Sequence, residues 1–143
     1  MASTELTLDH IEQIGGSDAH FPAIKAWVEI VEAGHALGDS LPINWDDRVT
    51  VLRAPGNLIS ALIVWRYSKW SREAIICVGW VHHAWRREGI YRRLYGEVKA
   101  EAIKMGARFI LGGVFPNNEA IRASARAMGR TEDVIILREV IGE

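Results

Sequence analysis

The chain has 143 residues, within the roughly 100–200 residues typical of one domain, and its 49% hydrophobic and 24% charged residues are ordinary for a globular protein. Its only cysteine, Cys77, excludes an internal disulfide and a cysteine-rich zinc site. No apolar run approaches the roughly 18 residues of a membrane span, and no secretory signal is visible. We therefore expect a single cytoplasmic domain over residues 1–143.

Charge is balanced over the whole chain, at −1, but is divided unevenly along it. Residues 1–48 hold nine acidic and two basic side chains, a net −7, whereas residues 49–143 hold fifteen basic and nine acidic ones, a net +6. This asymmetry indicates that the C-terminal part meets an anion, either nucleic acid or a phosphate-rich cofactor, unless the two parts only attract each other. The near-neutral total does not favour nucleic acid, which usually binds strongly basic domains.

The first half of the chain predicts one helix followed by an antiparallel meander. The helix is expected to begin at Ser17, with Pro22 in its first turn, and to stop at Gly34. The Gly/Asp/Pro-rich residues 35–48 predict a loop. Strands separated by short turns are predicted at residues 49–53, 58–70 and 74–81, the last a continuous apolar run typical of a strand buried on both faces.

The second half alternates helices with strands. Residues 89–105 predict a helix with one apolar side that Gly106 ends. A strand at 108–114, a helix at 117–128 and a last strand at 134–140 follow. The strand–helix–strand unit at 74–114 predicts a parallel crossover. The fold class is therefore α+β, a mixed, mostly antiparallel sheet with helices on both faces.

The turn after the third predicted strand carries the strongest functional signal. Val81 is followed by two histidines and a basic stretch, and Gly89 opens the next helix. A helix N-terminus offers unpaired N–H groups and a positive partial charge, and glycine permits close approach of a ligand to the backbone. The arginines at 86, 87, 92 and 93 add charge. These features are typical of a pyrophosphate site, and a solvated basic helix start is the open alternative.

The stretch Arg86-Arg87-Glu88-Gly89-Ile90-Tyr91 resembles the acetyl-CoA signature Arg/Gln-x-x-Gly-x-Gly/Ala of the GNAT N-acetyltransferase superfamily, which follows that family's fourth strand. The preceding residues, from Val81 to Arg86, match the family's Val-x-Pro-x-x-Arg with His83 in the proline's place. Farther on, Asn118 and Gly129 match an Asn-to-Gly spacing of eleven residues. The resemblance covers roughly residues 49–140.

The resemblance implies an acetyl-CoA-dependent enzyme that transfers an acetyl group directly to a primary amine of a small molecule or protein. It also implies that the fourth and fifth strands splay, and that the pantetheine of acetyl-CoA pairs with the strand-four backbone. The amides from Arg87 to Tyr91 would hold the pyrophosphate, Arg86 and Arg92 would pair with phosphates, and Asn118 would contact the pantetheine. The cofactor-binding residues so implied are Val81, His83, Arg86, Arg87, Glu88, Gly89, Ile90, Tyr91, Arg92 and Asn118.

The chain departs from the family at several positions. Tyr91 stands where the motif has its last Gly/Ala. A bound cofactor tolerates this side chain only if it points away from the phosphates and packs against the protein. The family's thiolate-protonating Tyr maps onto Ser124 counted from Asn117, or onto Ala125 counted from Asn118. Glu73 lies thirteen residues before Arg86, where the histone-modifying branch has a Glu. Glu73, as a water-relayed base, and Ser124, as a donor through water, are therefore the catalytic candidates, with surface carboxylate and inert serine as alternatives.

Four further residues, in the predicted strand at 74–81 or directly after it, carry predictions. His82 and His83 are expected to face opposite sides, one of them the amine pocket, and no third ligand at a suitable spacing favours a metal site. Gly79 is expected to mark the bulge that starts the splay, unless packing explains it. Cys77, among apolar neighbours, is predicted to be a buried, inert thiol.

The acceptor pocket is expected between the first helix, residues 35–48 and the strand turns. Its tryptophans and acids would suit a cationic amine, unless the tryptophans are core and the aspartates cap turns; they are Trp27, Trp45, Asp39, Asp46 and Asp47. The alternatives to an enzyme are an acetyl-CoA-binding module without turnover and a nucleic-acid-binding domain using residues 86–108, whose net charge is +4. Exposed strand edges are compatible with a homodimer.

Overall fold

The computed structural model describes residues 5–32, 42–112, 119–132, 139 and 141–142. Five strands form one sheet in the order β1-β2-β3-β4-β5, with antiparallel pairing from β1 to β4 and parallel pairing between β4 and β5. This is the predicted mixed, mostly antiparallel sheet. The elements are β1 Thr7–Ile11, α1 His20–Glu32, β2 Arg48–Ala54, β3 Leu58–Ser68, β4 Glu73–Val81, α2 Ile90–Met105, β5 Phe109–Gly112 and α3 Glu119–Ala127.

Helices cover both faces of the sheet, as predicted. The small residues Ala23 and Ala26 of α1 pack with Val49, Val64 and other aliphatic residues of β2, β3 and β4 on one face. The apolar side of α2 packs on the opposite face, where Trp65 is 1% exposed. The indole Nε1 of Trp65 donates a hydrogen bond to Thr50 Oγ1 at 3.1 Å, which satisfies its one polar group inside the core.

Several element boundaries differ from the sequence predictions. Strand β1 was not predicted, because it lies at the edge of the sheet and its first three residues are exposed, which removes the alternation of buried and exposed residues. Helix α1 begins at His20 rather than Ser17, whose hydroxyl instead accepts a hydrogen bond from the Ala19 amide at 3.3 Å. Strand β3 ends at Ser68, and Trp70 is 99% exposed in the following turn.

Some predictions fall outside the described residues. These are the helix stop at Gly34, the first half of the loop at 35–48 with Asp39, the residues Asn117 and Asn118, and nearly all of the last strand at 134–140. Helix α3 occupies the middle of the predicted helix at 117–128. In the described part of the chain, no helix is both long enough and apolar enough to span a membrane.

The pairing of β4 changes along its length. Val64 pairs with Val78 but Trp65 pairs with Ile76, so Cys77 is an extra residue that forms a β-bulge in β4. The expectation that Gly79 marks the bulge is therefore wrong. The described pairing of β4 with β5 extends only from Glu73 to Ile76 and stops at the bulge.

Candidate functional site

In the part of the chain that the structure describes, the end of β4 has outward-facing backbone groups without a partner strand. The His82 N–H donates to the Ser60 carbonyl of β3 at 2.8 Å. Because the direction of N–H and C=O groups alternates along an antiparallel strand, those of Gly79 and Val81 point away from β3. Among the described residues, β5 does not pair with this part of β4. The strand thus offers groups with which an extended ligand could form hydrogen bonds.

Arg86 lies along this open edge. Its Nε donates a hydrogen bond to the Val81 carbonyl at 2.9 Å. This contact confirms independently that the Val81 carbonyl points away from β3. It also means that the acceptor expected to bind the pantetheine already has an internal partner. The carbonyl of His83, the other expected pantetheine contact, accepts from the Arg86 N–H at 3.4 Å within a short 3₁₀ turn.

The start of α2 has the backbone of an anion site. Gly89 precedes the helix with φ +74°, and Arg87 also has a positive φ, +67°. The first hydrogen bond of the helix runs from the Arg93 N–H to the Gly89 carbonyl at 3.1 Å, so the N–H groups of residues 90–92 have no partner within the helix. No side chain of the described residues caps this end. The unpaired amides and the helix dipole favour a bound anion here.

A cavity of about 270 Å³ joins the open edge of β4 to the start of α2. Seven of the ten implied cofactor-binding residues line it, together with Trp85 and three residues of α3 and its C-terminal flank. The lining residues are Val81, Trp85, Arg86, Arg87, Gly89, Ile90, Tyr91, Arg92, Ser124, Ala127 and Met128. Of the other three implied residues, His83 and Glu88 are exposed beside the cavity, and Asn118 lies outside the described residues.

The side chain of Tyr91 turns away from the helix N-terminus and packs on β4. A Cβ placed on Gly79 would lie 2.6 Å from Cε2 of Tyr91, so only glycine leaves room for this ring. Packing, rather than a bulge, therefore explains Gly79. Burial raises the pKa of the Tyr91 hydroxyl, and the nearby Arg130 opposes that shift. The bulky residue in place of the family's Gly/Ala leaves the amide of residue 91 open to the cavity.

Comparison with known proteins rests on solved structures, since no family model and no curated protein matches the sequence. An aminoglycoside acetyltransferase from an uncultured soil metagenomic sample, in complex with trehalose, superposes with a TM-score of 0.71 at 14% identity, covering 97% of this chain and 98% of that one. AAC(6')-Iy, in complex with the bisubstrate analogue CoA-S-monomethyl-acetylneamine, gives 0.59 at 16% identity, covering 94% and 98%.

A third similar structure is the putative acetyltransferase YycN from Bacillus subtilis, with a TM-score of 0.65 at 17% identity, covering 96% of this chain and 100% of that one. The chain has the GNAT fold. The resemblance seen in the sequence and the arrangement of the sheet therefore agree.

Within the GNAT fold of this chain, the two catalytic candidates lie in different places. Ser124 of α3 lines the cavity. Glu73 begins β4 whereas Val81 ends it, and eight residues of extended strand separate them by about 26 Å. The structure therefore brings Ser124, but not Glu73, to the cavity.

The two histidines after β4 form one stacked pair. The rings of His82 and His83 lie 4.2 Å apart with 28° between their planes, so the expectation that they face opposite sides is wrong. The strand alternation ends at Val81, and His82 Nδ1 accepts from the Ala84 N–H at 3.1 Å to cap the 3₁₀ turn. Burial, then His83 and Arg86, lower the pKa of His82. No group of three metal-ligating side chains occurs among the described residues.

Of the acidic region expected to bind the acceptor, only some of the side chains are exposed to a ligand. Trp45 is 62% exposed and Asp46 is exposed, but Asp47 is 2% exposed and binds Arg66 Nη2 at 2.9 Å. Asp47 therefore has a structural role here. Cys77, beside it, is buried, and burial raises the pKa of its thiol to about 12, as expected for an inert cysteine.

Proposed function

We propose that this chain is an acetyl-CoA-dependent N-acetyltransferase that transfers the acetyl group directly to a primary amine of a small molecule or protein. The observation that carries the proposal is the cavity in which the free edge of β4 meets the unpaired amides at the start of α2. The CoA-containing ligand of the similarly folded AAC(6')-Iy supports acetyl-CoA as the co-substrate.

The residues of the cavity suit the two ends of this co-substrate. Its diphosphate needs N–H donors and positive charge, which residues 90–92 and the exposed guanidinium of Arg87 supply. Its pantetheine carries amides, which the outward-facing N–H and C=O groups of Val81 match. If the pantetheine takes the Val81 carbonyl, Arg86 is released from it and can pair with a phosphate. Asn118 remains the proposed side-chain contact to the pantetheine.

The chain contributes mainly positioning and hydrogen bonding to the reaction. Acetyl-CoA supplies an activated acyl group, and the protein aligns it with the acceptor amine, which must be neutral to attack. The free N–H of Gly79 lies farther along the same edge and can donate to an oxygen that gains negative charge. Ser124 is the hydroxyl that can pass a proton through water to the departing thiolate. Since Glu73 is remote, the acceptor ammonium loses its proton to a solvent water, and desolvation on binding favours the neutral amine.

The charge of the N-terminal part supports a proposal for the acceptor class. The net −7 of residues 1–48 and the exposed Trp45 and Asp46 favour a cationic amine such as a polyamine, an aminoglycoside or a lysine side chain. The aminoglycoside acetyltransferase with the same fold makes aminoglycosides a reasonable first panel.

We expect amine-dependent release of free thiol from acetyl-CoA, with the acetylated amine identified by mass spectrometry. The assay should cover a polyamine, several aminoglycosides and a lysine peptide, with acetyl-CoA alone as the background. Acetyl-CoA binding without thiol release from any amine would instead identify a binding module without turnover. Salt-sensitive binding to DNA or RNA with no acetyl-CoA binding would support a nucleic-acid-binding domain and contradict the proposal.

A further inference from the structure

A continuous stack of side chains connects β4 to β5 on the α2 face of the sheet. The ring of Tyr91 packs on Gly79 of β4, and the ring of Tyr95 follows at a centroid distance of 6.5 Å. The guanidinium of Arg130 lies 5.1 Å from the centre of the Tyr95 ring. Arg130 in turn reaches β5, because a Cβ on Gly112 would lie 3.0 Å from its Nη2.

The stack lies at the inner end of the open edge. The last described pair between β4 and β5 joins Ile76 to Gly112, and Gly79 comes three residues later in β4. Its glycine neighbours at both ends let the stack sit directly against the backbone of each strand. Tyr95 is 6% exposed and packed in the core cluster with Leu94 and Val98, so the ring of Tyr91 has a rigid layer behind it.

The direction of the proposed co-substrate brings its acyl end to this stack. The diphosphate site is at the start of α2, near the C-terminal end of β4. A pantetheine that binds the outward-facing groups of Val81 and continues inward next meets those of Gly79, about 7 Å along the strand. Three residues beyond Gly79, at Ile76, the described pairing of β4 with β5 closes the edge. The acyl group therefore lies beside Gly79 and the ring of Tyr91.

We infer that Tyr91 is a specificity-determining residue that closes the inner end of the crevice and restricts the acyl donor to acetyl. This inference rests on the proposed function and names its donor class. An acyl group with further methylenes has to displace the ring, which cannot retreat into Gly79 or through Tyr95. One extra methylene against a fixed wall changes discrimination by about 10–200-fold.

The test compares the affinities of acetyl-CoA, propionyl-CoA and butyryl-CoA by calorimetric titration of the full chain. For the wild type we expect butyryl-CoA to bind at least about tenfold more weakly than acetyl-CoA. Tyr91→Ala should bring the two affinities within about threefold of each other, because the ring is gone. Tyr91→Leu, which keeps apolar volume in the core, should also reduce the discrimination. This variant replaces Tyr91→Ala in the test if the alanine variant does not fold. Tyr91→Phe, which keeps the ring, should retain the discrimination.

Each other outcome contradicts the inference in a recognisable way. Equal affinities in the wild type, or unchanged discrimination in both Tyr91→Ala and Tyr91→Leu, would overturn the role of Tyr91 while leaving the proposed function intact. Loss of discrimination in Tyr91→Phe would overturn the role of the ring and point to the hydroxyl. Failure of the wild type to bind any of the three acyl-CoAs would overturn the proposed function together with this inference.

Discussion

Replacing Gly89 by glutamate is expected to weaken acetyl-CoA binding by about a hundredfold or more, a loss of about 2.7 kcal/mol. Two effects add. Gly89 has φ +74°, a conformation that costs a residue with a side chain about 1–2 kcal/mol, and this cost lowers affinity as far as the unliganded turn relaxes out of that conformation. The new carboxylate then lies beside the proposed diphosphate, and like charges about 4 Å apart near a protein surface repel by about 4 kcal/mol before screening. A Cβ at this position meets no atom of the described residues within 4 Å, so steric overlap with them does not contribute.

The matched control is Gly89→Gln, which has the same size and backbone strain without the charge. Calorimetric titration should place its affinity for acetyl-CoA between those of the wild type and Gly89→Glu. S-acetylpantetheine, which lacks the diphosphate, should bind the two variants equally. Equal affinity of the Glu and Gln variants for acetyl-CoA would show that no phosphate lies at the start of α2.

Replacing Asp47 by alanine is expected to lower the free energy of unfolding by about 2–4 kcal/mol. Asp47 Oδ2 accepts hydrogen bonds from the Asn44 N–H at 2.7 Å and from Arg66 Nη2 at 2.9 Å. Removing one partner of a buried ion pair typically costs about 3–5 kcal/mol, and the 31% exposure of the Arg66 side chain reduces that cost because water replaces part of the contact. Within the described ranges Arg66 Nε is already buried without a partner, and after the substitution the arginine keeps the hydrogen bond from its Nη2 to the Pro42 carbonyl at 2.8 Å.

Urea unfolding monitored by tryptophan fluorescence measures this loss. The control is Asp46→Ala, since the neighbouring side chain is exposed and its removal should change the free energy of unfolding by less than about 0.5 kcal/mol. Similar small losses for both variants would contradict the structural role of the Asp47–Arg66 pair. A loss for Asp46→Ala alone would reverse the assignment of the two aspartates.

The sequence predicted the parts of the fold whose signals are local. The apolar run from Ala74 to Val81 identified β4, and the apolar spacing with Gly106 identified α2 and its end. Strand β1 was not predicted, because an exposed edge strand is stabilised by backbone pairing with β2, and no residue pattern reveals that pairing. The bulge at Cys77 was not predicted for a related reason, since its position depends on the register between β3 and β4.

The candidate site divides in the same way. The glycine and arginines of the turn predicted the unpaired amides at the start of α2, because those follow from local backbone geometry. The contact of Tyr91 with Gly79 joins residues of different elements and has no signature in a single sequence. The bond from Arg86 to the Val81 carbonyl is short in sequence, but its existence depends on β5 leaving that carbonyl free. The distance of Glu73 from the cavity likewise follows from the strand direction rather than from spacing.

The central claim is that the open edge of β4 and the start of α2 bind one CoA molecule together. Titration of the isotopically labelled chain with CoA, followed by backbone amide NMR, tests it most directly. We predict that the largest amide shifts fall on Gly79, Val81 and residues 90–92. The shifts of both groups should follow one binding curve with the same dissociation constant for CoA. Shifts confined to residues around the second cavity beside Asp46 and Lys69, or no shifts at all, would contradict the claim.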